Sequence, residues 1–117
     1  MLLMPDTPIV EVTVDNFETV VIATSHQRPV LLDISAEWCA PCRFLYPTLE
    51  KLALAGQGRW LLATLEAEDE NMKIAGRFAV RGFPTVILLH QGVEVARFQG
   101  VKPEAFIHQL LQPYLAS

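Results

Sequence analysis

The chain has 117 residues and is 51% hydrophobic, enough for one compact core and too short for two domains. A formal net charge of −4 leaves no basic surface to neutralise a phosphate backbone, and no window interleaves Lys/Arg with aromatics, which argues against nucleic acid as a partner. No apolar run approaches membrane-spanning length, so no membrane role is expected. Met1-Leu2-Leu3-Met4-Pro5-Asp6 has neither a basic n-region nor a small-residue cleavage site, so a reducing compartment, the cytoplasm, is expected.

Residues 1–8 contain Pro5 and Pro8 and read as an irregular arm, with a single domain over 9–117. Alternation of Val/Ile with Glu/Thr over 9–14 predicts a short, half-exposed strand. Asp15, with Glu18 three residues on, matches a capping box and predicts a helix over 16–25 that turns Phe17, Val20, Val21 and Thr24 to one face. After Arg28-Pro29, the run Val30-Leu31-Leu32-Asp33-Ile34 reads as a strand buried on both faces in a parallel sheet.

From Cys42 to about Ala55 the apolar residues Leu45, Leu49, Leu52 and Ala53 recur with helical spacing, and Pro47 should bend the helix. Residues 60–65 form a third apolar strand, and 71–78 a short helix whose acidic lead-in, Glu66, Glu68, Asp69 and Glu70, suits a helix N-terminus. Two further strands, 85–89 and 93–98, flank His90-Gln91-Gly92 closely enough for an antiparallel hairpin. Pro103 is expected at N1 of a last helix that packs Phe106, Ile107, Leu110, Leu111 and Tyr114 against the sheet. The order βαβαβαββα predicts an α/β fold with a central mixed sheet of about five strands flanked by four helices, parallel strands first and an antiparallel pair at the end.

The only two cysteines stand in Trp38-Cys39-Ala40-Pro41-Cys42, between a buried strand and a helix N-terminus. There the positive end of the helix dipole and unpaired backbone N–H groups favour thiolate, so Cys39 is the expected nucleophile. Its attack on an external disulfide gives a mixed disulfide that Cys42, one turn on, can resolve. Pro41 donates no backbone hydrogen bond and fixes its own φ, which stiffens the loop. Cys-x-x-Cys is also half of a zinc site, but His26, His90 and His108 are scattered singly, so no metal is expected.

A carboxylate in the middle of an apolar strand is costly to bury unless paired, so Asp33 should hold its proton toward neutral pH unless it sits at an edge facing water. Pro84 reads equally as a strand-start proline or as the second residue of a cis bond. Trp38 is either a surface aromatic beside the nucleophile or a core residue.

Over residues 9–115 the chain resembles the thioredoxin family. The resemblance rests on Asp33-Ile34-Ser35-Ala36-Glu37-Trp38-Cys39-Ala40-Pro41-Cys42-Arg43, then Pro47, Arg81-Gly82-Phe83-Pro84-Thr85 and Gly100. It implies the thioredoxin fold and a protein-disulfide reductase that needs no cofactor beyond its redox-active cysteines. Such a protein acts on disulfide-containing clients as a monomer and is recycled by thioredoxin reductase. It implies a cis Phe83-Pro84 bond facing the cysteines, with the Phe83 backbone pairing with an extended client, Trp38 helping to hold that client, and Gly100 beside the groove. By the same resemblance Asp33 takes the proton of Cys42.

Three departures stand out. Ala40 replaces the family's usual Gly, Ser35 stands where an aromatic is usual, and Thr64 or Leu65 occupies the place of the lysine that partners the buried Asp. With only Lys51, Lys73 and Lys102 in the chain, burial alone should govern Asp33. The stretch Phe98-Gln99-Gly100 before a Pro-Glu helix also resembles the N-terminal domain of bacterial chaperedoxins, so a client-binding domain of a redox-linked chaperone is the alternative expectation.

Overall fold

The computed structural model describes residues 7–115. Most of the expected arm therefore lies outside the described residues, and at Pro8 the chain is already tied to the sheet, its carbonyl accepting from the Leu62 N–H at 2.9 Å.

Five strands, β1 (Ile9–Glu11), β2 (Val30–Ser35), β3 (Leu61–Glu66), β4 (Thr85–His90) and β5 (Val93–Gln99), form one sheet in the order β1-β3-β2-β4-β5. β1, β3 and β2 run parallel, while β4 is antiparallel to both β2 and β5. The central place of β2 is why its residues are apolar on both faces, Asp33 apart, since helices cover both.

Side chains alternate across a strand, and this divides the core in two. Val30, Leu32 and Ile34 of β2 join Ala63 and Leu65 of β3 and Ile87 and Leu89 of β4 on one face. That face is packed by Phe17, Val21, Ile74 and Ala75. Leu31, Leu62, Val86 and Leu88 point the other way, against Leu45, Leu49, Ala53, Ile107 and Leu111. The second set of helical residues belongs to α2 (Ala40–Ala55) and α4 (Glu104–Leu111); the first comes from a π-helical stretch, Phe17–Ile22, that runs into α1 (Ala23–Ser25), and from α3 (Met72–Arg77).

The first helix departs from expectation. It winds wide, the Ala23 N–H reaching the Glu18 carbonyl, and the Asp15–Glu18 capping box does not form. Asn16 precedes the helix instead, and its Oδ1 accepts from the Thr13 N–H at 2.7 Å. Glu18 is drawn off to pair with Arg77 of α3.

At the other end of the chain, Pro103 is the N-cap rather than N1. Its ψ of 160° is extended, and its carbonyl accepts from Phe106 and Ile107. α2 begins two residues before the expected Cys42, so Ala40 and Pro41 belong to its first turn rather than to a loop. A proline there breaks no intrahelical bond, because first-turn N–H groups have no partner within the helix.

The β4–β5 hairpin closes through Gln91 (φ 55°) and Gly92 (φ 82°), the two left-handed residues that a tight hairpin turn requires. Ser25, buried at the end of α1, holds this turn: its carbonyl accepts from Gln91 N–H at 2.8 Å and its Oγ from Gly92 N–H at 2.9 Å.

Candidate functional site

Cys39 and Cys42 are joined by a disulfide, with Cα atoms 5.3 Å apart, and so are not a pair of zinc ligands here. Among the described residues no group of three or more His, Cys, Asp or Glu is placed to hold a metal ion. Cys39 is the N-cap of α2, with an extended backbone (φ −92°, ψ 105°), and its Sγ accepts from the Cys42 N–H at 3.2 Å. The sulfur thus takes the role that a Ser or Asp oxygen fills in an ordinary cap, at the positive end of the helix dipole. Both cysteines are almost covered, 3% and 6% exposed, and pack with Ala36 and Phe83.

Around them the sequence-expected residues gather from two directions. Trp38 is a surface aromatic, 76% exposed, and stands edge-on to Phe83 with ring centroids 5.8 Å apart. Arg43 Nη1 donates to the Glu37 carbonyl at 2.6 Å and ties the turn before the cysteines to the helix after them. The Phe83-Pro84 bond is cis, and the Pro84 carbonyl accepts from Gly100 N–H at 2.9 Å. Gly100 has a φ of 85°, and a side chain built there meets no protein atom within 4 Å, so the glycine answers a backbone requirement and borders open space.

Asp33 is buried, 3% exposed, and does not face water at an edge. It shares its side of β2 with Leu31, and hence faces α2. Among the described residues its Oδ1 has no hydrogen-bond partner, and burial pushes its pKa from the ordinary 3.8 up to about 7. The register partner on β3 is Thr64, which carries no charge to offset the carboxylate.

Asp33 lines a cavity of about 550 Å³ together with Cys42, Tyr46 and Pro47 of α2. Ser35, Glu11, Thr64 and Glu66 complete the sheet side of it. Sequence reasoning missed Glu11, Glu66 and Tyr46. The only sign in the chain is a polar residue at the C-terminal end of each parallel strand, and it gains meaning once β1, β3 and β2 are in register.

His26 and His108 are exposed, and His90 lies against Tyr114 with rings 5.2 Å apart, so none approaches the cysteines as part of a ligand set. No helix among the described residues is long and apolar enough to cross a membrane.

A five-stranded sheet with a disulfide at the N-terminus of its central covering helix, a buried carboxylate beneath it and a cis-proline beside it defines a dithiol/disulfide redox domain. The thioredoxin family profile matches residues 8–113. The chain belongs to the thioredoxin family. It is 33% identical over 105 residues to a thioredoxin of Chlorobaculum thiosulfatiphilum, covering 90% of this chain and 94% of that protein. A thioredoxin of Mycolicibacterium smegmatis is 38% identical over 101 residues, covering 86% and 88%. The crystal structure of spinach chloroplast thioredoxin f superimposes with a TM-score of 0.85 at 28% identity, covering 96% of this chain and 97% of that one. The protein is a dithiol-disulfide oxidoreductase that reduces client disulfides through the Cys39/Cys42 pair.

Proposed function

We propose that Cys39 is the attacking thiolate, Cys42 the resolving thiol and Asp33 the group that takes its proton. In this reading Trp38, Phe83, Pro84 and Gly100 form the docking surface for clients. The observation that carries it is the buried, unpartnered carboxylate of Asp33 in the same cavity as Cys42, under a helix capped by Cys39.

The reaction starts from the dithiol form. The Cys39 thiolate attacks one sulfur of the client disulfide, a Cys39–client bond forms, and the first client thiolate leaves and is protonated by water. The Cys42 thiol then gives its proton to the Asp33 carboxylate, and the resulting thiolate attacks Cys39 Sγ. The Cys39–Cys42 bond closes, the second client thiolate departs, and two electrons have passed to the client.

A carboxyl with a pKa of about 7 is divided between its two forms near neutrality, and can accept this proton and return it. An extended client segment, paired with the Phe83 backbone, is held mainly by main-chain hydrogen bonds, which suits many sequences. Electrons return from thioredoxin reductase, the protein acts as a monomer in the cytoplasm, and the cysteine pair needs no bound cofactor.

Insulin reduction with dithiothreitol as donor tests these roles. Cys39→Ser should abolish it, and Cys42→Ser should accumulate mixed disulfides with client proteins in cells. A Cys39→Ser variant that still reduced insulin would sink the assignment of the nucleophile. Broad capture by Cys42→Ser fits a general reductase, and one dominant adduct contradicts it.

A further inference from the structure

The cavity beneath Cys42 carries more negative charge than proton transfer requires. Glu11 of β1, Thr64 and Glu66 of β3, and Asp33 and Ser35 of β2 all project from the α2 side of the sheet, because Glu11 and Asp33 both pair with Thr64 and alternation repeats the side two residues on. β4 contributes no charge there, since Val86, the antiparallel partner of Asp33, is apolar. Glu37 enters from the loop, and α2 supplies Cys42, Tyr46 and Arg43.

Among the described residues Arg43 is the one cation in the lining, and its guanidinium donates to the Glu37 carbonyl. Burial is the sole cause of the Asp33 shift, so no neighbouring cation offsets it. Tyr46, in the same lining, is pushed up by burial and by the charges of Glu50 and Asp33.

We propose that this cavity binds a small primary alkylammonium ion, its nitrogen directed at Asp33, and that the bound cation sets the charge of the carboxyl beneath Cys42. The buried Asp33 carboxylate lacks a partner and lines the space that the ion would fill. A metal ion fits poorly, because no three of these donors converge. An ammonium group needs fewer converging partners: it can donate to Asp33 and to the hydroxyl of its register partner Thr64, and leave its third N–H to water. Ala36, Pro47 and the Tyr46 ring offer apolar wall to a short alkyl chain, and a cavity of about 550 Å³ has room for it.

The test is the titration of the Asp33 carboxyl by carbon-13 NMR in the oxidised chain, with n-butylammonium chloride against tetramethylammonium chloride at equal ionic strength. No turnover is involved, so its outcome is independent of the catalytic roles proposed above. Butylammonium should lower the Asp33 midpoint saturably. A ligand that prefers the carboxylate form tenfold raises the ionised fraction at pH 6 roughly fivefold. No response, or an equal response to tetramethylammonium, overturns the site.

Thr64→Lys places a tethered ammonium across the register from Asp33. It should lower the midpoint unaided and remove the response to butylammonium, and an undiminished response counts against the proposal. Should that variant fail to fold, Asp33→Asn provides a second check: butylammonium must no longer shift the Thr64 and Tyr46 amide signals, and unchanged shifts overturn it. An arm with Nα-acetyl-lysine methylamide separates sources. Its binding extends the site to lysine side chains, and its exclusion restricts the site to free amines.

Discussion

Asp33 is held where its charge is least welcome, on the helix side of the central strand, and the pH dependence of stability follows. Its pKa is about 7 in the folded chain and near 3.8 unfolded, so between those values the native state binds the extra proton. Stability from this group is therefore fully present below the unfolded value and is lost as pH rises through about 7. Asp33→Asn keeps the shape without the charge. At pH 8 it should be more stable than the parent by about 4 kcal/mol, the equivalent of the full shift, and at pH 3.5 the two should coincide. Urea denaturation at the two pH values checks this, and an equal gain at both would contradict burial as the cause. The same variant should slow release of the second client thiol while leaving mixed-disulfide formation intact.

Among the elements, the segment between β1 and the first helix is fixed by a residue far along the chain. Asn71, just before α3, accepts from the Val14 N–H through Oδ1 at 2.8 Å and donates through Nδ2 to the Glu66 carbonyl at 3.2 Å. It thus joins the segment after β1, the end of β3 and the start of α3. Asn71→Ala leaves a half-buried N–H without its acceptor and should cost about 1–3 kcal/mol in urea denaturation. Asn71→Asp keeps the acceptor for Val14 but sets an oxygen against the Glu66 carbonyl, so it too should lose stability.

This tie could not be read from the sequence, where Asn71 is only one polar residue in an acidic lead-in. The capping box at Asp15 and Glu18 misled for a related reason, since a local signal lost to a tertiary partner, Arg77. Elements whose evidence ran over many residues, the apolar run of β2 and the helical spacing of α2 above all, came out where expected but for the first two residues of α2, because burial of a whole face outweighs any one cap.

For the whole molecule, strand order sets which parts open last. β2 is hydrogen-bonded on both sides and covered on both faces, whereas β1 has three residues and a neighbour on one side. Native-state hydrogen exchange should therefore find the slowest amides at Leu31–Ile34, exchanging near the global unfolding limit, and much faster ones at Ile9–Glu11. Equal protection of the two strands would refute that ranking. Asp33 and the β2 end of the cavity then belong to the most rigid part of the fold, and the exposed Trp38 ring to its surface.

Residue types and spacing alone determined that two cysteines one turn apart begin a helix behind a buried strand, and that a carboxylate lies within that strand. These are local facts, written in consecutive residues, and they favour dithiol redox chemistry over half a zinc site. Only the tertiary structure decided that Asp33 has no partner, that Thr64 stands opposite it, and that Glu11, Glu66 and Tyr46 share its cavity. Those facts depend on strand order and register, which join residues far apart in the chain. A slip of one residue in the pairing would turn the same side chains to the other face.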